Sequence, residues 1–306
     1  MTPAPALATI VVSWHSRDEL ARLLTALPRE SWHETVVVDN AGDLDPAEIE
    51  HAGARLLRPG RNLGFAGGSN AGARASRAPL LLFLNPDARP LGDAIAALRA
   101  GFDRRPEASG LVPRLVGLDG GPQCRWQLAP LPGPWALLAH AFFWNPVPGP
   151  RQEPAAGTPV AQPAAAALAL RREAFEAVGG FDEGYWPAWF EDVDLALRFS
   201  RRGQRLLYWP EASFEHRVGS SIPALGYGRF LASYDRNLAR YLARHHGRGW
   251  ALAFRTLVPA GAILRLALLP LRRPQRAASR REAARALWIV ARGALDGWAK
   301  AAEGQG

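Results

Sequence analysis

Apolar positions in the first 90 residues form short unbroken runs, separated by segments with helical spacing. Residues 8–13 (ATIVVS), 35–38 (TVVV), 54–57 (ARLL) and 80–84 (LLLFL) read as strands. Residues 18–27 repeat apolar side chains at helical intervals, and residues 67–76 read as a helix of small residues. Strands that are apolar throughout, with helices between them, predict a mostly parallel sheet covered on both faces, an α/β fold of Rossmann-like type. Such sheets take ligands at the carboxyl ends of their strands, where Asp39 and Asp87 stand.

The pattern then changes. Residues 128–165 are rich in Pro, Gly and Ala and read as a long loop or mobile flap. An apolar segment follows at 164–170, then a helix over 172–178 ended by Gly179-Gly180, and a helix over 192–201 stopped by Gly203. Residues 206–209 (LLYW) predict a further strand, and from Arg229 onward the pattern is helical and strongly basic. The expected division is a catalytic domain over 1–228 and a basic helical region over 229–306.

A chain of 306 residues, 48% hydrophobic, buries a sizeable core and is not disordered. A lone cysteine, Cys124, excludes an intrachain disulfide framework and a cysteine-rich zinc site, and suits a reducing compartment. The N-terminus lacks a basic region and does not read as a signal peptide. No run of about 18 uncharged apolar residues occurs, so a simple membrane span is not expected. The net charge of +9 is uneven: residues 229–306 carry 14 Arg and one Lys against four acids. Such an asymmetry points to an anionic surface. Base-reading motifs are absent, so no nucleic-acid partner is expected, and lipid accounts for the same charges.

Candidate chemistry centres on Trp189-Phe190-Glu191-Asp192-Val193-Asp194-Leu195, three carboxylates in four positions beside aromatic rings. Crowded or buried carboxylates need a metal, a helix N-terminus or a proton-transfer role. Glu191 or Asp192, desolvated by Trp186, Trp189 and Phe190, would have a raised pKa and act as a general base; capping of the next helix is the plainer alternative. Asp39 could accept the N–H of a pyrimidine or serve only as a turn aspartate. Asn85-Pro86-Asp87 closes an apolar strand with a carboxylate suited to a hard divalent cation, or with an ordinary turn. The stretch from Asn62 to Gly72 is a glycine-rich entry into a helix, which lets backbone N–H groups approach an anion. The first strand runs into Trp14-His15-Ser16, so a GxGxxG dinucleotide fingerprint is missing, which speaks against an oxidoreductase. His216 could hold a metal or phosphate, or be structural.

In order, these pieces resemble glycosyltransferase family 2, inverting enzymes of GT-A fold, and most closely its bacterial rhamnosyltransferase-like branch. The segments TIVVSWHSRDEL, VVVDN, GRNLGFAGGSNAG, LLFLNPDARP, LRREAFEAVGGFDEGYWPAWFEDVDLALRFSRRG and FEHRVGSS carry the resemblance, over roughly residues 7–245. It implies that Ser13, Asp39, Asn62, Gly64, Phe65, Asn70 and Asn85 contact the nucleotide sugar. It implies that Asp87 and His216 hold Mg²⁺ or Mn²⁺ on the diphosphate, with Asn85 replacing the first acid of a DxD-type motif. Asp192 matches the catalytic base, with Glu191 beside it, and Trp186, Trp189 and Asp194 would face the acceptor. The implied donor is a dTDP- or UDP-linked sugar, with dTDP-rhamnose foremost, and the implied acceptor a cell-envelope glycan or polyprenyl-diphosphate-linked sugar. An inactive sugar-nucleotide-binding scaffold on the same fold is the alternative.

The chain departs from the family pattern at Trp14-His15, at Gln162-Pro163-Ala164 and in the long Pro-rich stretch. Gln123-Cys124-Arg125-Trp126 superficially resembles the QxxRW box of processive synthases, but is one residue short and lies before the Glu-Asp motif, so it is set aside. Near the C-terminus, Arg248, Arg255, Arg265 and Arg272 fall on one side of a helical projection, opposite apolar positions, as in an interfacial helix. The expected location is cytoplasmic, peripheral on the inner face of a bacterial membrane.

Overall fold

The computed structural model describes residues 6–142, 150, 152–217, 225–271 and 277–298. Residues 143–149 and 151 of the Pro-rich stretch, Val218 to Ser221 of the FEHRVGSS segment, and Arg272 lie outside them. The chain divides into two compact units: Met1–Leu131, Pro148–Glu183 and Glu191–Ser220 form the first; Pro132–Val147, Gly184–Phe190 and Ser221–Gly306 form the second.

Numbered in chain order, the first unit contains β1 (Leu7–Ser13), α1 (Arg17–Leu24), β2 (His33–Asp39), α2 (Pro46–His51), β3 (Arg55–Leu57), α3 (Gly64–Ala75), β4 (Leu80–Leu84), β5 (Ala88–Leu91), α4 (Ala94–Arg104) and β6 (Gly110–Val116). It continues with α5 (Cys124–Gln127) and β7 (Leu128–Ala129). After an excursion into the second unit, where α6 (Pro134–Ala139) lies, it resumes with β8 (Gln162–Pro163), β9 (Ala167–Arg171), α7 (Arg172–Ala177), α8 (Glu191–Arg201) and β10 (Leu206–His216). The main sheet has eight strands in the order β3-β2-β1-β4-β9-β6-β10-β5. The pairs β3–β2, β2–β1, β1–β4 and β6–β10 are parallel. The expected parallel sheet is therefore present, and β9 is wedged antiparallel between β4 and β6.

Successive strand residues face opposite layers, as the pleat requires. Leu7, Val11, Val37, Leu82 and Leu84 point into one core with Leu20, Leu23, Leu98 and Phe102. Ala8, Ile10, Leu81 and Phe83 point into the other with Phe175, Phe181, Leu195 and Phe199. The glycines of α3 serve this second layer. A Cβ on Gly68 would sit 2.8 Å from a Val12 methyl, and one on Gly72 would collide with Ile10. Helix α3 thus lies close on β1 because its sheet-facing positions have no side chain.

The Pro-rich stretch is more structured than a flap. β7 and β8 pair antiparallel, and α6 begins with proline at its start, continuing into a 3₁₀ turn at His140–Phe142. Helix α6 and that turn belong to the second unit, with α9 (Tyr227–His245), α10 (Arg248–Leu268) and α11 (Arg280–Asp296). Gly261 of α10 packs against the Ala141 carbonyl, where a Cβ would clash. Ser279 caps α11, its hydroxyl accepting the Glu282 N–H at 3.1 Å.

Helix α10 modifies the expectation of no span. By length and composition it could cross a membrane, with mean hydropathy 1.5 over an 18-residue window, 28% of which is buried inside the structure. Arg255 and Pro259 interrupt it.

Candidate active site

The parallel strands β1, β2 and β4 end together, with Ser13 in register with Asp39. Asp39 is 2% exposed. Its Oδ1 accepts the Gly42 N–H at 2.7 Å and its Oδ2 the Leu44 N–H at 3.2 Å, while Arg58 Nε lies 3.5 Å from Oδ2. The turn role weighed against nucleotide recognition is thus directly observed. A carboxylate has about four lone-pair positions, so capacity remains for a base N–H. Ser13 is buried, and its hydroxyl lies 3.0 Å from that of Ser16.

The glycine-rich turn is held by side-chain amides. Asn62 Oδ1 accepts the Gly64 N–H at 2.8 Å, and Asn40 donates to the Gly64 carbonyl at 3.0 Å. Gly64 has φ +70°, a conformation glycine adopts without penalty. Phe65 and Asn70, expected at the nucleotide sugar, are engaged otherwise. Phe65 packs edge-on against Phe181 with centroids 5.7 Å apart. Asn70 uses both ends of its amide on one segment: it donates to the Phe181 carbonyl and to Glu183, and accepts the Phe181 N–H. Its contacts brace the turn after α7.

Across the sheet, β5 and β10 pair so that His216 lies opposite Ala88. This register sets His216 Nε2 3.5 Å from Asp87 Oδ1, with both side chains almost fully buried. Gln123 fixes the ring. Its Oε1 lies 3.1 Å from His216 Nδ1, and its Nε2 donates to the His216 carbonyl at 2.8 Å. The amide oxygen faces Nδ1, which leaves Nε2 as the ring nitrogen nearer Asp87. The Trp126 ring rests 5.3 Å from the imidazole. The QCRW segment, set aside as a processive box, thus positions a candidate ligand.

Helix α8 opens with the paired carboxylates. Burial pushes Glu191 well up from its ordinary value, and the adjacent Asp192 charge pushes it further. Glu191 Oε2 has no hydrogen-bond partner. Burial also raises Asp192, against the opposing effect of accepted backbone N–H bonds. The Ala165 N–H reaches Asp192 Oδ2 at 3.3 Å, and the next carbonyl, Ala166 O, accepts the Asn85 N–H at 2.9 Å. One dipeptide therefore sets Asp192 beside the Asn85-Pro86-Asp87 turn. Asp194 does something else. Fully buried, its Oδ2 accepts the Arg198 Nε–H at 2.7 Å, with Arg198 Nη2 2.6 Å away in the same ion pair, while Arg198 Nη1 donates to the Val178 and Gly180 carbonyls. Its carboxylate anchors α8 rather than facing an acceptor.

Trp186 and Trp189 lie in the second unit. Arg236 and Asn237 donate to the Trp186 carbonyl, and Asn237 also donates to those of Ala188 and Trp189 at 2.8 and 3.1 Å. Trp189 and Phe190 have φ +76° and +73°, strained for bulky residues and sustained by this network. Their rings pack on Phe230 and on Tyr234 and Tyr241 respectively.

The family model described as Glycosyl transferase family 2 matches residues 9–179, more than half of the chain. The chain belongs to this family. The glycosyltransferase is 27% identical over 288 residues to an N-acetylglucosaminyl-diphospho-decaprenol L-rhamnosyltransferase of Mycobacterium tuberculosis, covering 86% of this chain and 92% of that protein. The rhamnosyltransferase-like resemblance is borne out. Among solved structures it resembles the mannosyltransferase PcManGT of Pyrobaculum calidifontis, in complex with GDP-Man and Mn²⁺: TM-score 0.55, 15% identity, 98% of this chain and 88% of that one. It also resembles S. aureus TarS in complex with UDP: TM-score 0.52, 16% identity, 95% and 91% covered. These likenesses establish the GT-A fold.

Among the described residues no group of three or more His, Cys, Asp and Glu gathers as a metal cage. Asp87 with His216 offers one carboxylate and one imidazole nitrogen. This donor set fits a divalent cation that takes its remaining ligands from substrate phosphates and water.

Proposed function

We propose that the protein is an inverting, metal-dependent hexosyltransferase. It moves a sugar from a nucleotide-diphosphate donor to a hydroxyl of a glycan or polyprenyl-diphosphate-linked acceptor in cell-envelope polysaccharide synthesis. The observation that carries this reading is the meeting of Asp192, Asn85 and the buried Asp87–His216 pair around the 165–166 backbone, in a chain of this family. Asp192, lifted by burial, takes the proton of the acceptor hydroxyl. The hydroxyl oxygen attacks the anomeric carbon from the face opposite the diphosphate, which inverts the configuration. Asp87 and His216 would hold Mg²⁺ or Mn²⁺, which supplies positive charge beside the departing diphosphate. Asp39 and Ser13 at the strand ends, with Asn62 and Gly64 in the turn that enters α3, hold the nucleotide.

The donor is dTDP-rhamnose. The support is the mycobacterial relative, whose name specifies L-rhamnosyl transfer to a decaprenyl-linked sugar. The region 229–306 then works at the anionic inner face of the cytoplasmic membrane, which its arginine excess favours.

The test is a turnover screen of the full chain against dTDP-rhamnose, UDP-galactofuranose and the common UDP-hexoses with Mg²⁺, following nucleotide release. Release from dTDP-rhamnose above the others is expected. Release from none, with acceptor present, leaves the scaffold reading instead.

A further inference from the structure

The second unit contains a cavity of about 550 Å³ bounded by α9, α10 and the residues after α11. Arg236, Arg240, Arg244, Arg248 and Arg255 line it together with Trp298, and none of its lining residues is acidic. Spacing accounts for part of this array. Residues 236, 240 and 244 recur every four positions on α9 and so share one side of that helix, and Arg248 and Arg255 of α10 reach the same cavity after the chain turns at Gly247, φ +108°. Like charges at that spacing destabilise a helix, and an ordinary solvated face would let the long side chains spread into water.

Three of the five side chains are held. Arg236 Nη1 donates to the Trp186 carbonyl at 2.9 Å. Arg255 donates from Nε to the Ala294 carbonyl at 2.9 Å and from Nη2 to the Leu295 carbonyl at 3.0 Å. The Arg240 guanidinium lies over the Tyr185 ring at 5.4 Å. Gly184 leaves it room, since a Cβ there would collide with it. Arg236, Arg248 and Arg255 make no ion pair among the described residues. Asp296, beside the cavity in sequence, is turned away onto the Trp298 N–H, which it accepts at 2.9 Å. Burial lowers the Arg236 pKa, and the charge of Arg240 lowers it further, so the crowding is felt.

We infer that this cavity is a binding site for a phosphoryl or diphosphoryl anion. Guanidinium forks match phosphate oxygens in geometry and charge, and an anion seated among them offsets the repulsion that Arg240 exerts on Arg236. The proposal does not depend on the glycosyl-transfer reading, because every lining residue lies outside the catalytic machinery. Two sources share this chemistry: a soluble diphosphate group and an anionic phospholipid headgroup.

Calorimetry of the full chain with inorganic pyrophosphate, in EDTA to disable any metal-dependent diphosphate site, reads the first source. Sedimentation with phosphatidylglycerol vesicles reads the second. The variant is Arg244→Gln with Arg248→Gln, both exposed, checked for folding by circular dichroism. It is expected to weaken at least one of the two ligands about tenfold. Loss on pyrophosphate identifies a soluble anion, and loss on vesicles alone identifies a headgroup where Arg281→Gln with Arg285→Gln, an equal loss of charge at exposed positions outside the cavity, leaves vesicle binding unchanged; equal loss in both double variants overturns the headgroup assignment. Asp87→Ala should leave both interactions intact, which separates this cavity from the donor site and keeps the result readable even if no sugar nucleotide is turned over. Pyrophosphate and vesicle binding both indifferent to the double variant, or pyrophosphate binding removed by Asp87→Ala instead, would overturn the assignment.

Discussion

At the scale of single residues, the site turns on two adjacent carboxylates with different fates. Asp192 keeps hydrogen bonds from two backbone N–H groups, whereas Glu191 keeps a buried oxygen with no partner. Glu191 therefore holds its proton to higher pH, and Asp192 ionises first. Asp192→Asn should lower kcat by about 10²–10⁴ and leave donor affinity within a few-fold. Because burial raises Asp192, its ionised fraction, and with it kcat/KM, should climb with pH through a limb above the ordinary value of 3.8. Glu191→Gln imitates the protonated acid and should leave that limb in place; a variant at Asp192 retaining more than about a tenth of kcat would transfer the role to Glu191. Asp87→Ala should abolish the enhancement of nucleotide-diphosphate binding by Mg²⁺, read by calorimetry, whereas equal enhancement in both proteins defeats the assignment. Asp87, Asp192 and His216 stand out in the sequence because each sits in a spaced motif at a strand or helix end, and the structure brings Asp87 within 3.5 Å of His216. Gln123 was not, since its partner lies 93 residues away and nothing local marks it. The contacts of Asn70 and Asp194 were hidden for a related reason: residue type alone does not say that Phe181 or Arg198 engages their polar atoms.

At the scale of elements, hydrophobic runs located β1, β2, β3 and β4 because unbroken apolar strands can lie only inside a covered sheet. The antiparallel entry of β9 escaped notice, since an apolar run carries no sign of its direction. Strand β5, with only alternate residues buried, was too short to stand out. Helix α9 holds a group that no pattern showed. Asp235 is buried, and desolvation lifts its carboxyl to about 7, while burial lowers the neighbouring His140, 3.7 Å away, to about 4. Between 3.8 and about 7 the folded chain keeps a proton on Asp235 that the unfolded chain has released, so this group makes stability fall as pH rises. His140 acts oppositely between about 4 and 6.5, where the unfolded chain holds the extra proton. Asp235→Asn removes only the first effect. The Tm of the variant minus that of the wild type should therefore grow with pH across the window up to about 7 and then level off. A difference that stays flat or shrinks across that window would show that Asp235 is not held protonated in the folded chain.

At the scale of the whole molecule, the excess of positive charge and most of the exposed large apolar side chains fall in the same unit. Leu252, Ile263, Leu264 and Leu268 of α10 are exposed, as is Leu271 at 83%, and α11 adds Trp288 at 67%. Soluble monomers seldom leave this much apolar surface bare, and basic charge around it suits an anionic leaflet. Threading α10 across the bilayer is the competing geometry. It would carry Arg255 away from the Ala294 and Leu295 carbonyls that hold it. It would also extract Arg265, whose pKa burial within the folded chain has lowered to about 9. Lying in the interface keeps both contacts and buries only the residues already exposed. The full chain should accordingly sediment with phosphatidylglycerol vesicles and not with phosphatidylcholine. Binding should weaken as the Debye length contracts from about 10 Å at 0.1 M salt to about 3 Å at 1 M. Leu264→Glu with Leu268→Glu should reduce it roughly tenfold by removing apolar contact and adding like charge to the leaflet. An alkaline carbonate wash should release the protein. Retention after that wash would establish α10 as a span, and equal binding to neutral and anionic vesicles would remove the electrostatic part of the proposal.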